Sequence, residues 1–490
     1  MNTRLLVALC LALAASAEAG DYERLYDNMI EANKAQIVML SEEKLISAEL
    51  AGKLSLALQQ VVDEGMPGRD GAAYPNYLDL EARLVELIGD DASNIHLGRS
   101  RNDLGATMNL MLMRRQVLDV VTDVSAVRAT VQGIAADHVE TVMPGFTHGV
   151  QAQPTTLAHF LLAFDAGLQR DSERLLETYE RINRSPLGSG AFTTSGFALD
   201  RERLAELLGF PSLVDNAYDA IMVNPADTKV ELASVLSISA LSIGRFAQYV
   251  LFQYLDAAPG ILLTDDITGR SSIMPQKRSP SIVERLRLAA SEVVGKAHLS
   301  SLLVHSTPLY EVKDARQDHL YRLNDLVANA RRMYQRLDEI LHALTIRVDR
   351  LQELVDEDYS TMTELADTLK REAAVPFRVG HEVASHLTTY GREQGRAPSQ
   401  LAHEEVAAVY REVVGDSFPL TPEQTRVALS STAFVASRAG IGGPQADSVE
   451  KMLAAQRQDV ANVNAWLAGE IRRLNAAADN LDQEFRRLAE

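Results

Sequence analysis

Apolar residues recur at three- and four-residue spacing through most of this chain. In "KLISAELAGKLSLALQQVVDEG", Lys44 to Gly65, that spacing predicts an amphipathic helix stopped by Gly65, Pro67 and Gly68. A longer apolar run from Thr228 to Asp256 predicts a helix of about thirty residues, ended by Pro259-Gly260. Its length suits a membrane span, but Lys229, Glu231, Arg245 and several serines favour a buried bundle helix. Another helix is expected after Pro280, and a third across Leu320–Ile346. Alternating strand-like runs are scarce, and no repeat of roughly twenty to fifty residues is present. The pattern predicts an all-α fold built on an elongated central helical bundle.

Breaks rich in proline and glycine divide the pattern. They suggest an N-terminal helical domain over 20–100, a central bundle over 101–345, and a C-terminal helical domain over 346–455. The tail, 456–490, repeats every seven residues at Val460, Leu467, Leu474, Leu481 and Leu488, with Ile471, Ala478 and Phe485 between and Asn464 as the polar member. Such a stripe serves either a coiled coil with another copy or a helix lying on its own bundle.

Composition narrows the partners. With 46% hydrophobic residues over 490 positions the chain can bury a sizeable core. Its formal charge of −19 argues against nucleic acid, which requires a basic face. The first twenty residues, "MNTRLLVALCLALAASAEAG", carry one positive charge, an apolar run and small residues at Ala15, Ala17 and Ala19. That layout predicts a secretory signal peptide, cleaved after Ala17 or Ala19, and a periplasmic or secreted protein without a membrane anchor. A buried first helix is the other reading, but no polar face interrupts the run. The single cysteine, Cys10, lies inside it, so the processed chain would hold no disulfide and no thiolate site.

Three polar stretches interrupt the apolar scheme: Gly98–Arg115, Met143–Phe160 and Arg270–Pro280. None has metal-ligand spacing, and "GSG" at Gly188 to Gly190 lacks the lysine of a phosphate loop, so neither metal nor cofactor is expected. They share uncharged donors (Asn102, Thr147, Ser271, Ser272), one cation, Lys277, and one imidazole, His148. That set suits a small dicarboxylate.

"GRSRND", "PGFTHGVQAQP" and "SSIMPQKRSP" resemble the three signature regions of the fumarase/aspartase superfamily, most closely its argininosuccinate lyase branch. "SPLGSGAF", "ELADTLKREAAVPFRVGHEV" and "AFVASRAGIGGP" extend the resemblance over about residues 21–455. It implies a β-elimination that releases fumarate from an N-substituted aspartate, in a homotetramer whose active sites draw on three subunits. It also implies Ser271 as the base, with its alkoxide stabilised by Lys277 and local N–H donors. His148 would assist proton transfer to the leaving group, and Glu284 would orient that imidazole. The substrate carboxylates would meet Ser100, Arg101, Asn102, Thr147 and Ser272.

The departures from the family pattern matter as well. Arg270 stands where glycine usually precedes the two serines, Ser279 where asparagine is usual, and Gly149-Val150 where leucine-glutamine is usual. In the region that would hold the amine portion, Glu311 replaces a tyrosine, Arg316 a glutamine and His319 a lysine. The fumarate-forming half looks kept and the leaving-group half altered. Two functions follow: a carbon–nitrogen lyase acting on an aspartate adduct, or a catalytically silent, crystallin-like binding or structural protein. The joint presence of His148, Ser271, Lys277 and Glu284 favours the lyase.

Overall fold

A computed structural model describes residues 3–65 and 74–490, with the side chains of residues 3–20, 316 and 317 outside the description. The expected signal peptide therefore lies outside the described side chains, as does the Arg316 side chain. The N-terminal helices are α1 (Thr3–Glu42), α2 (Ala48–Glu64) and α3 (Tyr77–Ile88). Ser47 caps α2 by accepting from the Leu50 amide, and Gly65 ends it at φ 83°. The helix predicted over 44–65 thus begins at its serine cap and stops at its glycine.

The bundle follows with α4 (Arg101–Asp137), α5 (Leu157–Ile182), α6 (Arg201–Leu207), α7 (Asn224–Gln253), α8 (Ser281–Val304) and α9 (His319–His342). Six short strands pair antiparallel in twos: β1 (Val142–Thr147) with β2 (Val150–Thr156), β3 (Ile261–Leu263) with β6 (Leu344–Ile346), and β4 (Gly269–Arg270) with β5 (Arg278–Ser279). The fold is all-α with these small additions. The Leu320–Ile346 helix ends early, because Leu344–Ile346 finds its backbone partner in β3.

Register within the bundle can be read from side-chain pairs. Gln116–Asn324 (3.1 Å), Asp123–Arg331 (2.7 Å) and Thr130–Asp338 (2.7 Å) keep a constant offset of 208 residues, so α4 and α9 run parallel. Ser300–His319, Lys296–Asp325 and Arg336 to the Arg285 carbonyl run the opposite way, so α8 is antiparallel to α9. By length and composition α7 could cross a membrane. Here it packs against α5, α8 and α9, with Lys229, Leu232, Leu236 and Ile243 fully buried.

The C-terminal helices are α10 (Val348–Asp356), α11 (Met362–Ala373), α12 (Phe377–Glu393), α13 (His403–Val414), α14 (Pro422–Ala428) and α15 (Ser431–Ala436). Their core, Leu365 to Leu429, is separate from the main one, which joins the N-terminal helices to the bundle. The last helix, α16 (Ala446–Arg487), lies along α1, α4 and α5. Val460, Leu467, Leu474, Leu481 and Phe485 are buried inside the chain, while Asn464 faces outward. Most of the heptad stripe is thus covered by its own bundle, while Ile471 stays exposed. Arg128, fully buried, pins α4 to α5 through Asp165 (3.0 Å) and to α16 through Asp459 (2.6 Å).

Candidate active site

The first polar stretch starts α4. Ser100 caps the helix by accepting from the Asn102 amide, and its own amide donates to Asp103 Oδ1 at 2.8 Å. In that reciprocal box Ser100 Oγ acts as acceptor, which leaves its hydroxyl proton to donate. Asn102, partly exposed, donates through Nδ2 to Glu311 Oε2 at 2.7 Å. Arg101 and Asn102 line a cavity of about 510 Å³ together with Tyr74, Asn76, Glu311 and Lys313.

Asp103 was missed, although the S-x-x-D spacing signals its capping role. It is fully buried and accepts four backbone amides: Ser100 (2.8 Å) and Leu104 (3.1 Å) on Oδ1, Gly188 and Gly190 (both 3.0 Å) on Oδ2. Burial pushes its carboxyl up to about 6, against the hydrogen bonds that hold it ionised. The "GSG" stretch is therefore fastened to the start of α4. Gly188 and Gly190 have φ of 82° and 61°, which glycine adopts without strain.

The second stretch is the β1–β2 hairpin. Thr147 pairs with Val150, leaving His148 and Gly149 as the two turn residues, with φ of 55° and 77°. Positive φ at both is the requirement of a type I′ turn, and it accounts for the glycine at 149. His148 and Thr147 stand exposed at the tip. Gln151 Nε2 donates to the Val355 carbonyl (2.9 Å) and Gln153 Nε2 to Thr363 Oγ1 (3.1 Å), anchoring the hairpin to the C-terminal helices.

The third stretch is a loop, 271–277, closed by β4 and β5. Arg270 is a ladder residue paired with Arg278, so its side chain leaves the loop backbone unstrained. Arg278 clamps the base through Asp265 (2.9 Å) and the Pro275 carbonyl (3.0 Å). Ser271 Oγ accepts from the amides of Ile273 (3.3 Å) and Met274 (3.1 Å). Two N–H groups aimed at this oxygen are the donors an alkoxide there requires. Ser272, Ile273 and Lys277 are exposed on the loop, and Glu284 is exposed in the first turn of α8.

His319 is not on the cavity wall. It is fully buried, its Nε2 2.5 Å from Ser300 Oγ, and burial with the Lys229 ammonium nearby pulls its pKa down to about 4. The antiparallel α8–α9 packing turns it inward.

Distances along the helices separate the first motif from the other two within one chain, because the α4–α9–α8 register puts the start of α8 at the same end as the hairpin. Asn102 opens α4 and the His148 hairpin follows its far end, about 55 Å away at 1.5 Å per residue. Glu284 and Ser300 lie near opposite ends of α8, which is about 36 Å long. Among the described residues no hydrogen bond or ion pair joins His148, Ser271, Lys277 or Glu284 to one another.

Residues 73–295 match the model of the lyase family, and residues 359–436 that of the argininosuccinate lyase C-terminal region. The chain is 32% identical to argininosuccinate lyase from Methanococcoides burtonii, covering 91% of this chain and 90% of that one. It is 34% identical to the enzyme from Methanoculleus marisnigri, over 93% and 92%. The chain belongs to the argininosuccinate lyase family. Among solved structures, EDDS lyase in complex with formate matches with a TM-score of 0.86 at 28% identity, over 96% of this chain and 95% of that one. As a member of this family within the fumarase/aspartase superfamily, the protein is a carbon–nitrogen lyase.

Proposed function

We propose that this protein eliminates an amine from an N-substituted aspartate of the argininosuccinate type and releases fumarate. Ser271 Oγ removes the proton from the carbon next to the distal carboxylate. Lys277 and the Ile273 and Met274 amides offset the negative charge that develops. The carbon–nitrogen bond then breaks, the carbon–carbon double bond forms, and His148, oriented by Glu284, supplies the proton to the departing nitrogen. Ser100, Arg101, Asn102, Thr147 and Ser272 hold the carboxylates. The observation carrying this reading is the pair of backbone amides on Ser271 Oγ, in a loop that leads directly into Glu284. The test is fumarate formation, followed by absorbance, over a panel of aspartate adducts. Absence of fumarate from all of them would refute the reading.

The separation of the motifs supports sites shared between copies, in a homotetramer. Mixing the Ser271→Ala and Asn102→Ala variants, each inactive alone, should restore part of the activity through sites that receive neither substitution. Absence of restoration after exchange of subunits would exclude shared sites. The leader-like first twenty residues support export, which N-terminal sequencing of the protein recovered outside the cytoplasm would test. An intact Met1 on cytoplasmic protein would exclude export.

A further inference from the structure

We propose that a second cavity, among the C-terminal helices, binds a small organic ammonium ion with Asp356 as its counter-charge. The inference does not depend on the lyase reading. The cavity, about 470 Å³, lies between the end of α10, the turn Pro398–Gln400, the start of α13, α14 and the start of α15. That volume suits a small ligand. No residue assigned above to catalysis or to the substrate lines it.

Asp356 is held by neutral donors. Ser431 donates to Oδ1 at 2.5 Å, and Gln352 Nε2 donates to Oδ2 at 2.7 Å. Ser431 is buried at the start of α15, and Gln352 lies one turn before Asp356 on α10, so two elements fix the carboxylate. Among the described residues no cation pairs with it. The two hydrogen bonds orient the charge without cancelling it, and each oxygen keeps a lone pair for a further donor.

His403 adds an acceptor. The Thr425 hydroxyl donates to the Thr421 carbonyl at 2.9 Å, so its oxygen accepts from His403 Nδ1, also at 2.9 Å. With the proton on Nδ1, Nε2 of the neutral ring is left with a lone pair. Arg426 also lines the cavity, but two of its N–H groups already engage Glu423. The charge left uncancelled is therefore negative. Pro398, Leu401, Pro422 and Leu429 supply an apolar wall. An ammonium group brings three N–H donors for Asp356 and His403, and its hydrocarbon portion lies on that wall. A carboxylate ligand would set like charge against Asp356, and a neutral one would gain no ion pair.

The experiment is a ligand-observed NMR titration of the full-length protein at pH 7. The probes are butylamine, butan-1-ol and butyrate, which share a chain and differ in charge; the amine is an ammonium at this pH. Butylamine should bind, and the alcohol and the acid should bind at least about 10-fold more weakly. Asp356→Asn keeps the size and removes the charge, so Kd for butylamine should rise by about 10- to 100-fold, the worth of a hydrogen bond to a charged group. Ser399 is an exposed wall residue, and Ser399→Trp should block the cavity and abolish binding with Tm unchanged. Asn102→Ala, at the start of α4, should leave Kd as in the parent. Leucine binding more tightly than butylamine would assign the site to an α-amino acid, and binding more weakly to a simple amine; the ammonium chemistry holds in both. Absence of butylamine binding, equal binding of the alcohol, or a Kd that responds to Asn102→Ala and not to Asp356→Asn overturns the proposal. None of these results touches the lyase reading, which is decided by fumarate release.

Discussion

Replacing His319 with lysine, the residue usual at this position in the family, should destabilise the protein rather than restore a binding group. The site is fully buried and faces Ser300 and Lys229. A pKa lowered from 6.5 to about 4 means that the surroundings oppose a positive charge by about 3 kcal/mol. A lysine chain also disrupts the bond to Ser300 Oγ, whose buried hydroxyl then lacks this partner at a further cost of about 1–3 kcal/mol. The alternative, a neutral amine at pH 7, costs about 5 kcal/mol against a pKa near 10.4. Either route gives about 4–6 kcal/mol. At roughly 2.1 cal/mol/K per residue over the whole chain, each kcal/mol lowers Tm by about 1 °C. Circular dichroism melts at pH 7 should therefore show a loss of about 4–6 °C. The lysine's folded pKa lies below its unfolded value, so the unfolded state binds more protons between the two. The deficit must then shrink as pH rises toward 9.5. A variant melting within 1 °C of the parent at pH 7 would refute this reasoning, because residue 319 would then reach solvent or the cavity.

Ser271→Ala should abolish fumarate release with Tm unchanged, since the loop adds little to the core; substantial turnover would remove Ser271 as the base. His148→Asn should lower kcat by about 10²- to 10⁴-fold, and a loss confined to KM would argue against a proton-transfer role. Asp103→Asn puts an NH₂ group against backbone N–H donors whichever way the amide turns, and should destabilise by roughly 2–5 kcal/mol in urea unfolding. An unchanged midpoint would mean that the loop is held by something else. Deleting residues from 458 onward exposes the partners of Val460, Leu467, Leu474, Leu481 and Phe485, each worth about 1.5–3 kcal/mol when buried. That total matches the whole stability of a typical domain, so the truncated chain should fail to give a cooperative melt.

The helices were legible because their apolar stripes face a core, and period 3.6 records that directly. Leu344–Ile346 was misread because three residues carry no period, and their strand partner lies about eighty positions earlier in the chain. The β1–β2 hairpin was read only as a polar stretch, although histidine-glycine between paired residues is a turn signal. The break at Ser271 was legible because its serines, prolines and charges carry no apolar period. The placement of His319 was not, because burial there depends on how α8 lies against α9. Asp103 looked like one more polar residue after Asn102; its meaning comes from two glycine amides eighty-five and eighty-seven residues away.

The constant offset between α4 and α9 has a mechanical consequence. Three polar crosslinks spread over fourteen residues, roughly 21 Å of helix, forbid these rods from sliding by a turn past each other. The bundle then acts as a ruler, and the spacing between chemical groups at its two ends is set by residue count. A single residue inserted in α9 between Asn324 and Arg331 would rotate everything after it by about 100° and break two of the three crosslinks. Sliding of α4 against α9 is therefore excluded from any motion during turnover. Substrate preference is free to drift at the two ends while the ruler keeps its length.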